Sequence, residues 1–143
     1  MGAGLLTLAL LVGGCGGGGE ETSAEHLISK AALLKKGNAF CNKKNEELTA
    51  AFTPFVEEHR SDDVQFAIEH VIPMRSAEVK YLRHIGPPAE DAEQFEKLLT
   101  AMEEGISRAK QDPHSMLESE EHFAFSRAFD IGLDFGLEKC WLA

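Results

Sequence analysis

From about residue 25 onward the apolar positions recur at helical spacing. Leu27, Ala31, Leu34, Asn38, Cys41, Asn45, Leu48, Phe52 and Phe55 advance by alternating fours and threes, the period that lines one face of a helix as a heptad-like seam. The stripe passes through Pro54, so the first helix is predicted to kink there and to run on to about His59. Ser61, Asp62 and Asp63 then supply a cap and acidic first-turn residues for a second helix. Its apolar face is Val64, Ala67, Ile68, Val71, Ile72, Val79, Leu82 and Ile85. Pro73 falls inside that run, where its missing N–H and its ring predict a bend or a break.

Gly86-Pro87-Pro88 marks a firm stop and restart. Glu90, Asp91 and Glu93 favour the positive end of a third helix, with Ala92, Phe95, Leu99, Met102, Ile106 and Ala109 as its face. Residues 111–115 include Asp112-Pro113 and read as a turn. Ser115 or Ser119 can cap a fourth helix carrying Phe123, Phe125, Ala128, Phe129, Ile131, Phe135 and Leu137. Gly132 and Gly136, one turn apart on it, would let a neighbouring helix approach closely. Short connections make sequential helices antiparallel neighbours. The predicted fold is therefore all-α: an up-down-up-down four-helix bundle with a Pro-kinked second helix.

The first 23 residues follow a different pattern. The apolar run Leu5–Val12 leads into Gly13-Gly14-Cys15, and Gly16 to Gly19 follow. At about eight residues the run is far short of the roughly 20 needed to span a bilayer, but it suits a signal peptide with small residues at its cleavage site. Val12-Gly13-Gly14-Cys15 resembles the lipobox of small bacterial lipoproteins of unknown function. The resemblance covers only this N-terminal segment. It implies that residues 1–14 are a signal peptide and that Cys15 becomes residue one, its sulfur carrying lipid such as palmitate. Residues 15–23 would then be a lipidated Gly-rich tether, and 24–143 the bundle domain. The class implies a location on the extracytoplasmic face of the cell membrane or outer membrane. It implies no activity.

Cysteine parity extends that reading. The chain has three cysteines; with Cys15 spent on lipid, Cys41 and Cys140 remain as a pair in a compartment where disulfides persist. The alternative is two buried free thiols. In the bundle topology, Cys140 near the end of helix four and Cys41 within helix one reach similar heights if helix one extends past Pro54.

Composition changes the picture in one respect. The net charge of -10 opposes binding to a nucleic acid backbone, so no nucleic-acid partner is expected. Against that acidic background Lys30, Lys35, Lys36, Lys43 and Lys44 make the first helix basic. They form either a solvated helix face or, since the tether joins this helix, a face that meets anionic headgroups. The clusters Glu57-Glu58, Glu103-Glu104 and 118–121 read as solvated surface.

Candidate chemistry is sparse. None of the six histidines (His26, His59, His70, His84, His114 and His122) stands at a chelating spacing on one helix face, and no Glu-x-x-His pair or Cys-x-x-Cys-His is present. No cofactor is therefore expected. Asn38 and Asn45, seven apart on the seam, either fix register or open a polar pocket between helices. No Gly-x-Ser-x-Gly, P-loop or His-Glu-x-x-His occurs. An enzyme would need a cleft that holds two or more of Glu69, His70, Asp130 and Asp134 with shifted pKa values. The expectation is a non-enzymatic binding or interaction module of the envelope, partnered by the membrane and by an unidentified envelope protein or small ligand. The alternative is a carrier of haem, a metal or an apolar molecule within the bundle.

Overall fold

A computed structural model describes residues 27–57, 63–119 and 121–141. The expected signal segment, the tether with Cys15, His26, His59 and the Ser61-Asp62 helix start lie outside these residues. The described residues form a helical bundle whose only β pairing is an isolated bridge between Ile28 and Pro88. Helix α1 spans Lys30–Glu57, passing through Pro54. Asp63–Phe66 (α2) leads through a π turn, Ala67–Val71, into α3, Ile72–Ile85. Helix α4 is Ala92–Gln111, α5 is Ser126–Phe135, and short 3-10 turns cover Pro113–Met116 and Glu138–Cys140.

The start of α1 lies at Ser29 rather than at the expected Glu25. Ser29 Oγ accepts the Ala32 N–H at 3.2 Å, satisfying one of the donors a helix start leaves free. Glu90, expected to serve the third helix, instead accepts the Lys30 N–H of α1 at 3.3 Å, and Asp91 pairs with the Lys30 ammonium at 2.8 Å. The loop before α4 thus closes on the start of α1.

The second segment shows what Pro73 does locally. The Ile72 N–H reaches back five residues to the Ala67 carbonyl, which is π rather than α geometry. Proline has no N–H for the carbonyl four residues before it, so a widened turn stands where an α turn would carry a broken bond.

The fourth helix is shorter than the sequence predicts. It begins at Ser126, so Phe123 and Phe125 precede it, and neither Ser115 nor Ser119 is its cap. Ser115 is buried in the 3-10 turn, its hydroxyl donating to the Asp112 carbonyl at 2.5 Å, while the Asp112 carboxylate accepts the His114 N–H. Asp112-Pro113 therefore builds a self-capped turn, and the chain needs ten more residues to reach a helical register.

The core is formed by Leu33, Leu82, Phe95, Leu98, Leu99, Met102, Phe125, Phe135 and Leu137, all at most 1 % exposed. The predicted face of α4 is buried nearly as expected. That of α1 is met in part: Cys41, Asn45 and Phe55 are buried as the stripe predicts, but so are Leu33 and Gly37 off the stripe, whereas Leu27 and Phe52 are about half exposed at 51 % and 45 %. On the outside, Arg83 of α3 bridges Glu96 and Glu103 of α4, and Arg127 of α5 meets Glu104. Exposed pairs of this kind contribute little each.

Candidate functional site

The polar positions of the α1 seam converge on the C-terminal turn. A helix end leaves carbonyls without partners, and here the gap is closed twice. The Gly136 N–H bonds the Leu133 carbonyl at 3.0 Å, and the Leu137 N–H bonds the Gly132 carbonyl at 2.9 Å. That reciprocal pair requires a left-handed residue at its centre, and Gly136 supplies it with φ +101°. Asn38 then takes the turn from the side. Its Nδ2 donates to the Gly136 carbonyl and its Oδ1 accepts the Lys139 N–H, both at 2.9 Å. Asn45, two turns on, donates to the Lys139 carbonyl at 2.7 Å. The partners of these asparagines are backbone groups of a segment that runs beside α1. These bonds join α1 to that segment at three backbone positions.

Between the two asparagines lies Cys41, bonded to Cys140 across 99 residues with Cα atoms 4.7 Å apart. Cys140 belongs to the 3-10 turn rather than to helix four. Gly132 does not admit a neighbouring helix. Its missing side chain makes room for the Trp141 indole, whose Nε1 would stand 2.0 Å from a Cβ there. Gly136 ends the helix rather than lining it.

Beneath this turn is a charged group that the apolar pattern does not reveal. Arg75 and Glu78 of α3 are buried and paired at 2.9 Å, and Arg75 Nη1 also donates to the Cys140 carbonyl. The guanidinium lies 4.8 Å from the Trp141 ring and 5.9 Å from that of Phe125, a planar cation between aromatic faces. Burial raises the Glu78 carboxyl above its ordinary range, with Arg75 pulling the other way. Its Oε1 is buried without a hydrogen-bond partner among the described residues. The available signal was spacing: Val71, Arg75, Glu78 and Leu82 step by four, three and four, the seam rhythm with two charges in it.

Of the four candidate enzymatic residues, two share a groove and two stand apart from it. Glu69 and His70 line an open groove of about 260 Å³ with Lys44, Glu47 and Pro73. Asp130 borders a separate cleft of about 570 Å³ with Glu121, Phe123 and Phe129, and Asp134 lines neither. The His70 ring rests 4.7 Å from that of Phe66. Among the described residues no group of three or more His, Cys, Asp or Glu side chains is placed to hold a metal, and no helix is long and apolar enough to cross a membrane.

The lysines of α1 divide into two sets. Lys30 pairs with Asp91, and Lys43 and Lys44 pair with Glu47, the Lys44 hydrogen bond holding the Glu47 carboxyl below its ordinary range. Lys35 and Lys36 have no carboxylate partner among the described residues. They flank Phe40, whose ring stacks on Tyr81 of α3 at 4.0 Å and 5° between planes. The chain matches no protein-family model, no curated protein and no solved structure.

Proposed function

We propose that this chain is a lipid-anchored, extracytoplasmic protein that acts by binding rather than by catalysis, with Cys15 as its anchor and residues 24–143 as an up-down-up-down four-helix bundle bent at Pro73. The observation that carries the reading is the Cys41–Cys140 bond. It uses two of the three cysteines, it suits an oxidising compartment, and the remaining cysteine is the one preceded by Val12-Gly13-Gly14. Glu69 and His70 share an open groove from which Asp130 and Asp134 are absent, so no larger constellation of these four supports catalysis.

Detergent phase partition of cells expressing the full chain tests the anchor. The wild type should enter the detergent phase and incorporate labelled palmitate. Cys15→Ala should do neither and should appear in the aqueous phase. Retention of Cys15→Ala in the detergent phase, or a wild type that takes up no label, would overturn the reading.

A further inference from the structure

We propose that the Phe40–Tyr81 face, with Lys35, Lys36 and Lys80, is the surface that this protein lays on the anionic phospholipid headgroups of the membrane holding it. The proposal rests on the anchored reading above, but it concerns a different part of the chain. Its first support is charge. The protein carries a net charge of -10, so a bilayer of the same sign repels it as a whole and admits only a locally basic face. Two grooves, of about 500 Å³ and 340 Å³, lie either side of the stacked rings, and no carboxylate lines either of them. Lys35 and Lys36 border one; Lys44, Lys80 and His84 border the other. Lys35, Lys36 and Lys80 have no carboxylate partner among the described residues, so docking breaks no internal ion pair. The carboxylates of α4 and α5 contribute nothing to either groove.

The second support is the ring pair itself. Phe40 and Tyr81 stay partly exposed between lysines, an apolar body with a hydroxyl at its edge, which is the chemistry that favours the headgroup level. The third is reach. Cys15 stands 14 residues before Ser29, a stretch that extends to at most about 50 Å, and Lys35 and Phe40 lie about 8 to 15 Å along α1 from its start. The face is therefore on the helix that the tether delivers.

The test uses the full chain with Cys15→Ser, so that no lipid contributes, and sedimentation with vesicles of phosphatidylglycerol in phosphatidylcholine against vesicles of phosphatidylcholine alone. The chain should partition to the anionic vesicles, less so as salt rises. Adding Lys35→Glu, Lys36→Glu and Lys80→Glu should weaken that partition by at least about fivefold per lysine. Unchanged melting of the charge-reversed chain shows that folding is intact. Residues 5–12 are common to both chains, so only the difference between them counts. Equal binding by the two chains, or equal binding to the two vesicle types, overturns the proposal, including the case in which the face serves an acidic protein. Failure of the anchor is read separately, by the palmitate label on wild type.

Discussion

The middle of α1 and its last turns are held by different physics. Around Cys41 each polar group on the seam is assigned to a particular backbone partner: Asn38 to Gly136 and Lys139, Asn45 to Lys139, Arg75 to Cys140. A covalent bond lies among them. Around Phe52 the contacts across elements that stand out are between rings. Phe52 meets Phe66 at 5.2 Å, Phe55 meets Phe66 at 5.0 Å, and Val56 and Ile68 stand 53 % and 42 % exposed. Apolar contact is non-directional, so the aromatic cluster can repack, whereas the hydrogen bonds around Cys41 tie each asparagine to particular groups of the C-terminal turn. Specificity of register is concentrated at the middle of α1.

The bluntest way to break the contrast is to cut the crosslink. Closing a loop of 99 residues removes denatured-state freedom worth about 4 to 5 kcal/mol in the chain-entropy model. Cys41→Ala with Cys140→Ala should lower the unfolding free energy by that much, read by urea titration, while the asparagine bonds still hold the turn in register. If amide exchange of 136–141 then becomes as fast as that of a free peptide, the bond rather than the asparagines sets the register.

The buried ion pair comes next. Arg75→Met leaves Glu78 as a buried charge without its partner, at a cost of about 3 to 5 kcal/mol, and Arg75→Met with Glu78→Leu should recover much of it. The pH dependence carries its own sign. Burial raises the Glu78 carboxyl in the folded state above its ordinary range, so the native protein holds that proton more tightly than the unfolded chain. Stability from this group is greatest below the unfolded value and falls as pH rises through the folded one. Glu78→Gln should remove that decline. A difference between wild type and Glu78→Gln that grows in favour of wild type with rising pH would reverse the assignment.

The all-helical class, the face of α4 and the pairing of Cys41 with Cys140 could be read from the chain, because spacing and parity are local or countable. The burial of α1 was less legible. Its 4-3 stripe includes the buried Cys41, Asn45 and Phe55, but Leu33 and Gly37 are buried off the stripe, and Gly37 carries no hydropathy signal. The truncated α5 was hidden by its own content: Phe125 has helical spacing with Ala128 and Phe129, but the helix begins only at Ser126. Arg75 and Glu78 were missed because hydropathy assigns charge to the surface, and only tertiary packing supplies the Cys140 carbonyl, Trp141 and Phe125 that make burial tolerable. Asn38 and Asn45 were visible as anomalies. Their partners were not, since backbone groups 94 to 101 residues away leave no letter in the sequence.

The smallest expected effect tests the other half of the comparison. Phe52 is 45 % exposed, so Phe52→Ser forfeits only part of a phenylalanine's transfer energy, about 1 kcal/mol or less, and the Phe55 and Phe66 rings remain in contact with one another. The change should appear mainly in local opening: amide exchange should quicken over the last turns of α1 and little around Cys41. The melting curve should move less than for Arg75→Met. A loss as large as that of Arg75→Met would mean that the ring cluster is itself specifically packed, and that register is fixed at the last turns of α1 as well as at its middle.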